Sequence, residues 1–346
     1  MKNPSMADVA KAAGVSKNTV SLALRKDPQI PDKTQKRIQR MAEKLGYQRN
    51  AVVSELMVRM RRTRQPGFQA VLGLINANAD PKAFTNHPTI PVYVDGVRRT
   101  ASTLGYAIDS FWLHDPELRG KSFLRILKSR SIRGLLIVGL MKENKLPSHF
   151  QPLIDAFPCI VTGVRTRNPA LSFVCADHHM LVNEAVAQVA ALGYKRPGMI
   201  IDAGIDRLVE RRFSAGFQAG REAAQMTSSP IPMLDFKVAE KERRHFWNWY
   251  ENYRPDVVFT LYNTVHKWLK EAKIHAPKDI GLVQLEWRSS EPKWAGMNQH
   301  NDVTGEAAVE MLEGMIHRDE SGAPEFPRSM LIGSTWMSGT TVRKQK

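Results

Sequence analysis

The chain has 346 residues, with 50 Lys and Arg against 34 Asp and Glu, a formal charge of +16, and 42% hydrophobic residues. That apolar content builds an ordinary core and excludes a disordered or low-complexity chain. The longest apolar run, Leu135 to Met141, is far short of the roughly 20 residues of a membrane span, and two cysteines, Cys159 and Cys175, exclude a disulfide framework and a Cys-rich zinc site.

Length alone implies two or three domains, and the lack of an apolar signal core points to the cytoplasm. Residues 1 to 65 hold 15 Lys or Arg and 5 Asp or Glu, a net of +10, leaving +6 for the other 281 residues. Basic charge so concentrated either meets a polyanion, releasing counterions as each cation reaches a phosphate, or is only a solvated helical face. Met6, Val9, Ala10 and Ala13 recur at helical spacing, and Gly14 then supplies a tight turn. Ser16 is placed to cap a second helix, with Val20, Ala23 and Leu24 on its buried face. Asp32, with Gln35 three residues on, reads as the cap of a third helix carrying Ile38, Met41, Ala42 and Leu45, ended by Gly46. Helix, glycine turn, helix is the helix-turn-helix plan.

If the second helix enters the major groove, Lys17, Asn18, Ser21 and Leu22 are its base-reading candidates. Asn18 suits adenine and Lys17 suits guanine. Leu22 either meets a thymine methyl or completes the small core. Ser16, Thr19, Arg25, Lys26, Lys33, Tyr47 and Asn50 suit phosphates, which set register without reading sequence.

Asp8-Val9-Ala10, Ala13-Gly14-Val15-Ser16, Thr19-Val20-Ser21 and Leu45-Gly46-Tyr47 resemble the headpiece of the lactose/galactose repressor (LacI/GalR) family. The resemblance implies base reading by Lys17, Asn18 and Leu22, followed by a hinge helix that folds on operator DNA and wedges Leu56 into the minor groove. Asn50 would cap that helix over Ala51 to Met57, which is too short to be stable alone in water. An inserted apolar wedge bends DNA and brings more protein surface onto it, and paired hinges imply a homodimer on a near-palindromic site. Glu55 departs from the family hinge, and its repulsion from phosphate calls for a neutralising arginine such as Arg59. Arg59, Arg61, Arg62 and Arg64, followed by Gln65-Pro66-Gly67, mark the domain boundary.

From Val71 onward, short apolar runs alternate with helical stretches: Val71 to Ile75, Val92 to Leu104, Ala107 to Trp112, Phe123 to Leu127 and Leu135 to Val138. This is βαβ architecture with a buried parallel sheet. A second series starts near Asp177, with strands at Met199 to Ile201, Val257 to Thr260 and Ile280 to Leu285 and helices to Leu192, around Phe217 and over Phe246 to Tyr250. Two such series predict two lobes with a ligand between strand ends. The resemblance extends to the family's periplasmic-binding-protein-like core through Asp177, Arg211 to Phe217 and Pro277 to Gly281. Phe111-Trp112-Leu113, the Trp336 to Arg343 ending and the Arg-rich hinge are similar to a divergent branch of the family from verrucomicrobial genomes.

The expected fold is therefore α/β: a three-helix headpiece over residues 1–49, a hinge helix and basic linker over 50–67, and a two-lobed core with parallel sheets over 68–346. Lobe 1 would take about 68–174 and 296–328, and lobe 2 about 175–295 and 329–346. Asn76, Trp112, Asp177, Arg212, Asn263, Trp287 and Gln299 are the effector-binding candidates, combining planar polar groups for hydroxyls with rings for a sugar's C–H face. Packing at a lobe edge is the other reading of each tryptophan. Arg212 lies four residues before Gly216, whereas the family's effector-binding arginine lies three before, and Tyr262-Asn263-Thr264 and Gln284 to Trp287 replace the family's sugar-clamping segments.

No P-loop, Gly-x-Gly-x-x-Gly turn or Gly-x-Ser-x-Gly elbow is present, so the commonest enzyme signatures are missing. His178-His179 beside Asp177 reads as solvated or loop histidines, with no third metal ligand at a familiar spacing. The expectation is a non-enzymatic, cytoplasmic transcription repressor without cofactor or metal, whose partners are operator DNA, a small carbohydrate effector and a second copy of itself. An α/β enzyme acting on a sugar or nucleotide-sugar, with an appended nucleic-acid-binding domain, is the alternative from another class.

Overall fold

The computed structural model describes residues 6–24, 27–45 and 70–345. The N-terminal unit contains α1 (Met6–Ala13), α2 (Lys17–Leu24) and α3 (Asp32–Lys44). Val9, Ala10, Ala13, Val20, Ala23, Ile38 and Ala42 close one small core, against which Val15, Leu24 and Ile30 pack. Gly14 turns the chain with φ +66°, a left-handed conformation that costs glycine little. Ser16 caps α2 as expected, its Oγ accepting from the Thr19 amide at 3.0 Å. The cap of α3 differs from expectation: Pro31 occupies the cap position and Asp32 lies inside the first turn. Proline's fixed φ suits a helix start, and Gln35 is drawn away from capping. Its buried Nε2 donates to the Asp27 and Ile30 carbonyls and ties the preceding loop to the helix. Leu45, expected in the core, is exposed.

Chain order in the second unit runs β1 (Ala70–Asn76), α4 (Ala83–Asn86), α5 (Ile90–Thr103), β2 (Tyr106–Trp112), α6 (Gly120–Ser129), β3 (Ile132–Val138), α7 (Gln151–Ala156), β4 (Cys159–Thr162) and β5 (Ser172–Ala176). It continues with α8 (His178–Ala191), β6 (Pro197–Ile201), α9 (Ala203–Leu208), α10 (Arg212–Ala223), β7 (Leu234–Asp235), α11 (Phe236–Lys241), α12 (Arg244–Tyr253), β8 (Val257–Thr260), α13 (Thr264–Glu271), β9 (Gly281–Gln284) and β10 (Ala295–Asn298). The last elements are α14 (Asn301–His317), β11 (Ser329–Ile332) and β12 (Thr335–Met337).

Two six-stranded sheets result, ordered β2-β1-β3-β4-β5-β11 and β7-β6-β8-β9-β10-β12. The orders correspond strand for strand, the mark of a duplicated lobe. The first sheet is parallel throughout and the second is parallel except for β12. Every residue of β4, β5, β8 and β9 is buried, as strands covered on both faces require. The last strands redraw the expected lobe boundaries. β10 pairs in the second sheet and β11 in the first, so the return to lobe 1 begins after Asn298 and the final passage to lobe 2 falls after Ile332. These passages fall a few residues beyond the expected ones at about 296 and 329, since a Ser-Met-Leu-Ile run carries no mark of which sheet it joins.

The chain thus passes between lobes three times: from β5 to α8, from β10 to α14, and from β11 to β12. The passages are laced together. The Asp177 amide donates to the Ile332 carbonyl at 2.8 Å, and His300 Nε2 lies 2.8 Å from Thr335 Oγ1. In lobe 1, α5 and α14 cross closely, since a Cβ at Gly96 would stand 2.0 Å from the Asp302 carbonyl oxygen and one at Gly305 would stand 2.2 Å from that of Tyr93.

Candidate functional site

Two places carry chemistry. The first is α2 of the headpiece. Val20 and Ala23 hold its inner face on the core. Leu22 is half-buried and lies outside the apolar cluster. Lys17, Asn18 and Ser21 lie on the same helix; their side chains, together with Arg25, Lys26, Tyr47, Asn50 and Leu56, fall outside the described residues. Ser16 Oγ and Thr19 Oγ1 are 2.9 Å apart, so the capping pair is also linked side chain to side chain. Lys33 is exposed on the first turn of α3.

The second place is a cavity of about 360 Å³ between the lobes. In each sheet the strand order reverses at the first strand, between β1 and β3 and between β6 and β8, and ligands collect at the carboxyl ends beside such switch points. The cavity is lined there by Val138 to Met141 and by Leu261 to Thr264. Across the second sheet its lining changes character. Gln299 after β10, Glu286 and Arg288 after β9, and Asn263 after β8 form a polar wall, while Ile205, Leu208, Val209 and Phe213, from the segment after β6, form an apolar one. Lobe 1 contributes His87, Tyr93, Leu140 and Val164.

Charges in the cavity balance. Arg288 Nη2 donates to Glu286 Oε2 at 3.0 Å, and Arg288 Nε is buried without a hydrogen-bond partner among the described residues. A buried donor of this kind is expensive until a ligand or water satisfies it. His178 is buried against Phe213 with ring centroids 4.6 Å apart. Burial, reinforced by the Arg212 charge, pushes its pKa down to about 3, so the ring is neutral at physiological pH. Burial and the neighbouring Arg288 lower His87 as well. Burial, then the Glu286 charge, raise the Tyr93 hydroxyl well above its ordinary range, which keeps it a neutral donor.

Of the sequence-derived effector residues, Asn263 and Gln299 line the cavity. Asn263 Oδ1 accepts from Gln284 Nε2 at 2.8 Å, and Gln299 Nε2 donates to the Leu285 carbonyl at 2.9 Å, so both are held in fixed orientations. The other five do not line it. Asn76 is buried and ties down its own loop, donating to the Asp80 and Pro81 carbonyls and accepting from the Asn78 amide. Trp112 Nε1 donates to the Asn78 carbonyl. Asp177 caps α8 by accepting from the Met180 amide. Trp287 packs against the lobe 2 core. Arg212 donates to Cys175 Sγ at 3.4 Å and stands over the Phe173 ring, outside the cavity.

The one-residue offset of Arg212 explains its placement. One residue is 100° around a helix, and Phe213, three residues before Gly216, takes the cavity position in its stead. His178 corrects a further expectation, being a buried cavity residue instead of a solvated one. Tyr93, Glu286 and Arg288 were not singled out from sequence; Glu286 ends a strand run that the sequence does show, but its pairing with Arg288 depends on the loop that follows. Among the described residues no cluster of His, Cys, Asp and Glu could hold a metal ion, and no helix is long and apolar enough to cross a membrane.

Comparison with known proteins agrees with this division. Residues 5–50 match the family model of bacterial regulatory proteins, lacI family, and residues 186–337 match that of a periplasmic binding protein-like domain. The HTH-type transcriptional regulator MalR of Streptococcus pneumoniae is 26% identical over 193 residues, 56% of this chain, and the chain spans only 55% of that relative's length. The ribose operon repressor of Escherichia coli is 24% identical over 350 residues, covering 90% of this chain and 92% of its own. Among solved structures, the transcriptional regulator CelR–cellobiose complex aligns with a TM-score of 0.61 at 19% identity, covering 98% of this chain and 99% of the other. The lac repressor dimer bound to operator and the anti-inducer ONPF aligns at 0.59 with 16% identity, covering 98% and 99%. At such identities the structural likeness is one of fold. Headpiece motifs, duplicated lobes and the two domain matches together make the chain similar to the LacI family of bacterial regulatory proteins, with the lacI-family match confined to residues 5–50.

Proposed function

We propose that the protein is a transcription repressor that binds a near-palindromic operator as a homodimer and is controlled by a small carbohydrate held between its lobes. The observation that carries this reading is the joining, in one chain, of a helix-turn-helix unit to a cavity lined from both lobes at the strand ends. The cavity suits a neutral sugar: among the described lining residues the charged pair, Glu286 and Arg288, is self-neutralising, its amides and carboxylate can meet hydroxyls, and Tyr93, Phe213 and Tyr262 offer rings for C–H faces. A relative bound to cellobiose and another captured as a dimer on operator DNA support the same reading. Coupling, not catalysis, is the proposed chemistry. An effector with different affinity for the DNA-bound and free states shifts operator binding, and DNA shifts effector binding by the same factor.

Mobility-shift titration on a palindromic site from the flanking DNA tests the operator claim, with Leu56→Ala expected to weaken specific binding by about 1–3 kcal/mol. Binding that persists without residues 1–65 would overturn it. A thermal-shift screen of neutral sugars tests the sensor: stabilisation without consumption of the ligand is expected, and Asn263→Ala should weaken the stabilising sugar by about 1 kcal/mol, the typical worth of one hydrogen bond. Turnover of that sugar would instead identify an enzyme.

A further inference from the structure

Beside the cavity, but outside it, three arginines surround one carboxylate. Arg165 Nε lies 3.7 Å from Glu210 Oε2, Arg167 Nη2 lies 3.7 Å from Glu210 Oε1, and Arg212 Nη2 lies 3.6 Å from Glu210 Oε2. Arg165 and Arg167 come from the lobe 1 loop between β4 and β5, whereas Glu210 and Arg212 come from lobe 2. Asn144 stitches the same seam, donating from Nδ2 to the carbonyls of Arg165 at 2.7 Å and Leu208 at 2.8 Å.

Three features of the cluster are unusual for a simple ion pair. All three separations exceed hydrogen-bond reach, so the guanidinium forks crowd around Glu210 without bonding to it. One carboxylate among three guanidiniums leaves two positive charges unbalanced within the cluster; Asp206, four residues before Glu210, is engaged with the Ser214 amide and hydroxyl, and Asp177 caps α8. Glu210 and Arg211 are consecutive non-glycine residues with φ of +58° and +59°, and strain of this kind persists where the surroundings enforce it, often at ligand clamps. Phe173 anchors the cluster, with Arg165 and Arg212 over its ring at 5.2 and 5.6 Å.

We propose that this seam is a phosphate-binding site, distinct from the cavity, that takes the phosphate group of a small phosphorylated metabolite on Arg165, Arg167 and Arg212. A phosphate carries close to two negative charges, which balances the cluster with Glu210 still ionised, and its tetrahedral oxygens match guanidinium forks bidentately. Because its ligands come from both lobes, the bound phosphate favours the lobe arrangement in which they converge. It is thereby linked to whatever occupies the cavity. The phosphate site does not depend on that occupant being a sugar.

Inorganic phosphate is the probe, with the full-length protein studied by calorimetry and thermal shift against sodium chloride and acetate at matched ionic strength. Saturable binding of phosphate, tighter than acetate, is expected. Arg165→Ala with Arg167→Ala should weaken it at least tenfold, and Glu210→Gln should tighten it severalfold. Arg167 is largely exposed and Arg165 about half so, so the double variant is expected to stay folded, which circular dichroism checks. Phosphate no better than chloride, acetate equal to phosphate, or a folded double variant with unchanged affinity would each overturn the site; the last would move the phosphate to the basic headpiece.

Discussion

At the scale of single residues, burial decides more than identity. His178 is one of ten histidines, yet it lies buried at the start of α8 with its pKa held near 3. Protonation is therefore disfavoured in the folded state relative to the unfolded chain, whose histidine titrates near 6.5. Between these values the unfolded state binds more protons, so stability is full above about pH 6.5 and falls as the pH drops toward 3, by roughly a few kcal/mol from this group. His178→Phe should flatten that acid limb in thermal melts at pH 4 to 7, and an unchanged slope would assign the loss to other groups. Cys175 is similarly muted: burial pushes its thiol up to about 11 against the opposing charge of Arg212, so thiol reagents should leave the folded protein unlabelled at pH 7. Phe213 lines the cavity from the first turn of α10. Its truncation to alanine should cost about 3–5 kcal/mol through the lost ring and the hole left behind, readable as a lowered denaturant midpoint.

At the scale of elements, what was legible from sequence depended on whether a pattern is local. The helices of the headpiece, the strands Val71 to Ile75, Ala107 to Trp112 and Leu135 to Val138, and the long helices before Leu104 and Leu192 announce themselves by periodicity and by glycine after the last turn. β4, β5 and β12 do not. Cys159–Thr162 and Ser172–Ala176 are short runs buried on both faces, which alternation cannot mark, and β12 exists only because β10 is there to pair with. Asn263 was reachable because it follows the expected strand Val257 to Thr260, and Gln299 only as a planar polar group, since the strand before it, β10, is not marked by pattern. Phe213 and Arg288 were not, since helix phase and loop path place them. Helix packing offers a test at this level. Gly96 on α5 and Gly305 on α14 allow the two helices to touch backbone to backbone, and Arg99 adds ion pairs to Asp302 and Glu306 across the same contact. Gly96→Ala must push the helices apart, for an expected loss of about 1–3 kcal/mol, whereas Arg99→Ala, which removes only exposed ion pairs, should leave the melting midpoint nearly unchanged.

For the whole molecule, charge is divided by task. The net +10 of the first 65 residues should give operator binding a steep salt dependence, each phosphate contact adding about 0.9 to the slope of log affinity against log salt. Lys33→Ala should lower that slope by about one and weaken all sequences alike; a loss confined to the operator would make Lys33 a base reader. The core's +6 gathers in part at the seam around Glu210. Between its two halves the core behaves as a mechanism with few degrees of freedom. Three chain passages, fastened to one another through Asp177 to Ile332 and His300 to Thr335, resist sliding and twisting far more than they resist bending about the line on which they lie. The lobes therefore move like the leaves of a door on one pin, and any ligand that closes the gap, at whatever point along it, drives the same single angle.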